Sequence, residues 1–107
     1  MATIFSQLDQ LDLSLKAVAI EFKLGNLTPD ETLVKLSEIR NELISLESTN
    51  RRMALISAST SDPHYLEEAL KAARRMSEMA ESFYRTVKDI SETVFSSISM
   101  QQVQASA

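Results

Sequence analysis

The chain contains no cysteine, no tryptophan, one glycine and two prolines among its 107 residues. Without cysteine it forms no disulfide, and it offers neither a thiolate nucleophile nor a cysteine-ligated zinc site. Glycine and proline end most helices and strands, so their scarcity predicts a few long elements. A single glycine also excludes a glycine-rich phosphate loop, which needs several of them close together.

Basic residues are fewer than acidic ones, with 11 Lys and Arg against 15 Asp and Glu and a net charge of −4. We therefore expect no nucleic-acid binding, which depends on clustered cations. No apolar stretch approaches the roughly eighteen residues of a membrane-spanning helix. The first six residues, MATIFS, show no basic segment before an apolar run. We expect no Sec signal peptide, and hence a cytoplasmic location or export by a dedicated secretion system.

The first predicted helix covers residues 3–24 and presents a broad apolar face. Gly25 suits its end, because glycine adopts the left-handed conformation that closes many helices. Thr28 and Pro29 are typical of the start of the next helix, so the short loop between them predicts an antiparallel hairpin. The apolar residues follow steps of four and three: Ile4, Leu8, Leu11, Leu15, Val18 and Phe22, with Leu13 and Ile20 widening the face.

The second predicted helix covers residues 29–56. Its pattern weakens at Ser48, Thr49 and Asn50, short polar residues that compete for backbone hydrogen bonds and predict a kink or an early end. The small polar residues 57–61 predict a loop. The apolar face comprises Leu33, Leu36, Ile39, Leu43 and Leu46, broadened by Val34, Ile44, Met53 and Leu55.

The third predicted helix, residues 62–102, organises the chain and is about 60 Å long at 1.5 Å per residue. Asp62 is its predicted N-cap and Pro63 its first residue, while residues 99–107 are expected to fray. Three large side chains outside its main apolar face, Met79, Tyr84 and Phe95, predict a second stripe and therefore a second neighbour. The predicted seam has the coiled-coil spacing: Ala69, Ala73, Met76, Ala80, Phe83, Val87, Ile90 and Val94.

These patterns predict one all-α domain spanning residues 1–107, an elongated bundle of a helical hairpin and one long C-terminal helix. Little in it suggests chemistry. His64 is the single histidine and has no cysteine or second histidine with which to form a metal site. The carboxylates are spread along solvated helix faces, so we expect no catalytic residues, no metal and no cofactor.

From Ser61 onward the chain resembles the needle and inner-rod subunits of type III secretion systems. The similarity lies in Asp62-Pro63, in Leu66, and in the tract from Thr86 to Ile90 that precedes an apolar end. In that family such residues open and fill a long C-terminal helix. The resemblance implies a structural subunit that is exported by its own machine and assembles into a secretion conduit.

Two functions follow from the patterns. In the first, the chain is a structural subunit that assembles with copies of itself through the long helix, and in the second it is a small binding module or secretion chaperone. The chaperone would work as a dimer or in a one-to-one complex with another helical protein. WXG-type secreted hairpins are similar in size, but this chain has no tryptophan and no glycine at the predicted turn near Ser59. The predicted contact residues are Met76, Ala80, Phe83, Val87, Ile90 and Val94.

Overall fold

The computed structural model describes the backbone of residues 3–60 and 63–106, and side chains within 3–59 and 63–98. These residues form three helices and no strand: α1 (Ile4–Lys23), α2 (Pro29–Thr60) and α3 (Pro63–Ser106). The molecule measures 70 × 23 × 16 Å, with a radius of gyration of 18.4 Å. A compact domain of this length would have a radius of gyration near 13 Å. The predicted elongated all-α bundle is therefore confirmed.

The hairpin between α1 and α2 forms as the sequence predicts. Gly25 has a φ of 78°, a conformation that other residues adopt only with strain. The Thr28 hydroxyl accepts from the Glu31 backbone N–H at 3.1 Å, and Glu31 Oε1 accepts from the Thr28 N–H at 3.2 Å. This reciprocal pair is a capping box, which satisfies two otherwise unpaired backbone donors at the start of α2.

Helix α2 is longer and more regular than predicted. No break occurs at Ser48–Asn50, and the loop predicted from residue 57 is wrong as far as Thr60, because α2 continues to that residue. Hydroxyl side chains here donate to carbonyls of the preceding turn, so they do not compete for the backbone in a way that ends the helix. Thr49 donates to the Ser45 carbonyl at 3.1 Å and Ser57 to that of Met53 at 2.7 Å. Residues 61 and 62, including the predicted cap Asp62, lie outside the described residues.

Helix α3 begins at Pro63 and continues to Ser106, four residues past its predicted end. Its backbone is helical through most of 99–107, where we expected fraying. With 44 residues it is more than twice as long as α1. It therefore extends beyond the part of the bundle that α1 can cover.

The core lies where all three helices meet. Its buried residues are Leu8, Leu11, Leu15 and Val18 of α1, Leu36, Ile39 and Leu43 of α2, and Ala72, Met76 and Met79 of α3. Leu46, Phe83, Val87 and Ile90 are among the partly buried residues packed against it. The main predicted face of α1 is confirmed, but Leu13 and Ile20 are exposed rather than part of it.

The predicted seam of α3 is wrong at two positions. Ala73 and Ala80 are exposed, whereas Ala72 is buried and Met79, which we placed outside the seam, is only 1% exposed. From Ala69 and from Met76, the next buried residue comes three positions later, where the prediction placed it four positions later. The centre of the buried face of α3 is therefore turned toward α1, because α3 packs against two helices. Likewise in α2, Thr32 is buried and the predicted Leu33 is 62% exposed. Thr32 is accommodated because its hydroxyl donates to the Thr28 carbonyl at 2.8 Å.

Candidate self-association surface

Two side-chain contacts fix how the helices are aligned. Arg75 of α3 donates to Asp9 of α1 at 3.0 Å, and Asn50 of α2 donates to the Ala69 carbonyl of α3 at 3.0 Å. Helices α1 and α3 are parallel, and α2 is antiparallel to both. Counting along the helices from these contacts shows which stretches of α2 and α3 have three-helix packing and which do not.

At one end, α1 begins too late to cover its neighbours. Ile4, the first residue of α1, lies five residues before Asp9. Because Asp9 is level with Arg75, α1 starts at the height of residue 70 of α3. Because Asn50 is level with Ala69, the same height corresponds to about residue 49 of α2. We call residues 48–60 of α2 and 63–70 of α3 the tip. Among the described residues, the tip contains α2 and α3 but no third helix.

At the other end, α3 extends beyond both partners. Lys23, the last residue of α1, shares a cleft with Asp89 and Glu92, and Pro29, the first of α2, shares a groove with Ile90 and Val94. We call residues 95–106 of α3 the tail. At 1.5 Å per residue the tail is about 18 Å long, and none of its residues is charged.

An apolar groove between α2 and α3 leads from the bundle onto the tail. It has a volume of about 260 Å³. Leu33 lies on one side at 62% exposed, while Phe95 and Ile98 lie on the other at 72% and 49%. Large apolar side chains grouped at the surface mark interaction sites more often than scattered ones do. The remaining lining residues are Pro29, Thr32, Leu36, Val87, Ile90, Ser91 and Val94.

The structure divides the six predicted contact residues among four environments. Met76 is buried in the core, and Phe83, Val87 and Ile90 pack against that core within the chain. Ala80 is exposed, and Val94 is half-buried in the groove. Thus α3 uses most of the predicted contact residues for intramolecular packing, and the free apolar surface lies further along, at Phe95 and Ile98.

Of the predicted second stripe, Tyr84 and Phe95 are exposed, whereas Met79 is a core residue. Leu33 and Ile98, which lie beside Phe95 at the surface, were not predicted from the sequence as surface residues. One available signal is charge, because residues 93–107 include no Asp, Glu, Lys or Arg. A solvated helix usually carries charges, so a long uncharged stretch in a helix indicates a surface that meets another protein.

Several ion pairs lie on the outer surface of the bundle. Arg85 pairs with Glu81 at 2.7 Å, and Arg75 pairs with Glu78 at 3.6 Å as well as with Asp9 at 3.0 Å. The hydrogen bond to Asp9 raises the pKa of Arg75 above its ordinary value. Arginine is charged at any physiological pH, so this contact aligns α1 with α3 without acting as a pH switch.

The side chains that could bind a metal ion are scattered among the described residues. No group of three or more His, Asp or Glu among them lies close enough together to hold a metal ion. His64 stacks edge-on against Tyr65, with 6.1 Å between ring centroids, at the exposed start of α3. What the described part of the chain does present is an apolar helical surface at each end of a rod.

The fold defines an elongated three-helix bundle with an extended third helix. Comparisons with protein-family models, with curated proteins and with solved structures find no match. Within the described residues, none of the helices combines the length and apolar character needed to cross a membrane.

Proposed function

We propose that this chain is a non-enzymatic structural subunit that assembles with copies of itself through helix–helix contacts. The observation that carries the proposal is the exposed apolar surface of Leu33, Phe95 and Ile98 beside an uncharged tail. Exposing such a surface to water is costly, and burying it against another helix contributes about 25 cal/mol for each Å² of apolar area removed from water. A rod with this surface near one end can bury it in a neighbouring copy.

The test compares the wild-type chain with Phe95→Asp and with Leu13→Asp by sedimentation velocity over a wide range of concentration. Phe95 and Leu13 are both large, apolar and mostly exposed, at 72% and 66%, but Leu13 lies outside the groove and the tail. We expect the wild type and Leu13→Asp to associate increasingly with concentration and Phe95→Asp to remain monomeric. Circular dichroism should show the same helicity in all three.

A wild-type chain that stays monomeric throughout would contradict the proposal. A fixed dimer that does not grow with concentration would instead favour the alternative, a helical binding module or secretion chaperone. The apolar groove is compatible with that alternative, because a partner helix would contact the same Leu33 and Phe95 side chains.

The further proposal, that the assembly belongs to a bacterial protein secretion apparatus, is supported by the resemblance to type III needle and inner-rod subunits. That resemblance rests on Asp62-Pro63, Leu66 and the tract ending at Ile90. The proposal predicts export with no cleavage of the N-terminus. Mass spectrometry of the secreted and intracellular forms would test this, and a cleaved secreted form or export through the Sec route would contradict it.

A further inference from the structure

The tip has an open third-helix position. Lys35 and Glu38 line the cleft between α1 and α2. Met53 lies eighteen residues after Lys35, and Ile56 lies eighteen residues after Glu38. Because eighteen residues complete five helical turns, Met53 and Ile56 lie on the same side of α2 as Lys35 and Glu38, but at the height where α1 is absent. Both are exposed. On α2, the side of the tip that continues the α1 position is therefore apolar and uncovered.

Helix α3 also exposes a large, mainly apolar side chain on the core-facing side of the tip. Tyr65 lies five turns before Phe83, which packs on the core, so Tyr65 continues the core-facing side of α3 into the tip. It is nevertheless 53% exposed, because no third helix reaches it. The charged Glu68, on the side of α3 nearest α1, pairs with Lys71 at 3.8 Å.

The tail matches the open position in length and in chemistry. The tip spans 13 residues of α2, or about 20 Å, against about 18 Å for the tail. The tail is uncharged, as are residues 53–61 of α2, whereas the rest of the tip carries Arg51, Arg52, Glu67 and Glu68. Docking the tail along α2 from residue 53 onward thus requires little desolvation of charge. On the α3 side, the tail would lie beside Glu68, whose charge is paired with Lys71.

We infer that the tail of one copy occupies the third-helix position beside the tip of the next copy. The inference rests on the proposed function and specifies its contact: Phe95 and Ile98 of one copy against Met53, Ile56 and Tyr65 of another. The contact joins two different surfaces, so it leaves a free tip and a free tail on every pair, to which further copies can add. A 70 Å rod overlapping by about 20 Å would repeat every ~50 Å.

A complementation experiment tests this geometry. Ile98→Asp alters only the tail and Ile56→Asp only the tip, and both isoleucines are exposed at 49% and 62% in the isolated chain. We expect each variant alone to associate at least about tenfold more weakly than the wild type. An equal mixture should form one-to-one heterodimers that do not extend, because it contains one intact tail and one intact tip for each pair. Leu13→Asp is the control and should polymerise normally.

Cysteine cross-linking provides a second measurement, because the natural chain has no cysteine. Phe95→Cys on one chain and Tyr65→Cys on another should form a mixed disulfide in excess over either symmetric pair. If the wild type associates but the mixture of variants does not, or if Phe95→Cys links mainly to itself, the tail-to-tip contact is wrong and the proposed self-assembly survives. If the wild type does not associate at all, both fail.

Discussion

Val87→Asp separates folding from assembly, because Val87 lies where the groove meets the core. The valine is half-buried and packs against core residues, and none of the described residues that line the groove with it is charged. The substitution removes an apolar contact and places a carboxylate without a partner in an apolar setting. Together these effects should destabilise the fold by about 3 to 5 kcal/mol. Domains of this size are stable by only about 5 to 15 kcal/mol, so much of the stability would be lost.

The assay is thermal and urea unfolding followed by circular dichroism at a protein concentration low enough to keep the chain monomeric. Phe95→Asp is the matched control, since Phe95 lines the same groove but is mostly exposed, and its effect should stay within about 0.5 kcal/mol. A Val87→Asp protein that melts like the wild type while failing to associate would refute the reasoning. That result would place Val87 in a contact between chains rather than within one.

Three further substitutions test the local structure by the same unfolding measurement. Met79→Ala should cost about 2 to 5 kcal/mol because Met79 is fully buried, whereas Tyr84→Ala should cost under about 0.5 kcal/mol, and similar costs would contradict the observed face of α3. Thr28→Ala should cost about 1 kcal/mol through loss of the capping box, and no change would show that the box contributes nothing. Gly25→Ala should cost about 1 to 2 kcal/mol from its positive φ alone, since no atom lies within 4 Å of the added methyl group, and a stabilised variant would contradict that conformation.

Local signals predicted the helices well because helix ends depend on neighbouring residues. Gly25, Thr28 and Pro29 fixed the first turn to within a residue or two. The end of α2 was missed for a reason that is also local. Serine and threonine favour loops when their hydroxyls compete for the backbone, but in this helix they bond back to the preceding turn, and the apolar pattern does not distinguish the two outcomes.

The surface was harder to predict than the helices, because exposure depends on which helix lies opposite. Ala72 and Ala73 are adjacent and chemically identical, and only the direction of the two neighbouring helices decides that the first is buried. In α2, likewise, the apolar pattern predicted a buried Leu33, but Leu33 is exposed and its neighbour Thr32 is buried. A period of 3.6 residues gives the width of an apolar face, but the length of α1, set by its caps, determines where along α3 that face becomes uncovered.

The tip contains both an uncovered apolar surface and a contact that aligns α2 with α3. Its interior is made of small and polar groups, with Asn50, Ser57 and Ala69 buried where leucine and methionine fill the centre of the bundle. Such an interior contributes little hydrophobic stabilisation, and a docked third helix would stabilise the tip by covering the exposed Met53, Ile56 and Tyr65 beside it. The Asn50 amide donates to the Ala69 carbonyl, and a slip of α2 along α3 would leave that buried donor unsatisfied. This hydrogen bond and the core packing of the two helices together determine how far α3 extends beyond α2 at the opposite end, and so the length of the tail available to the next subunit.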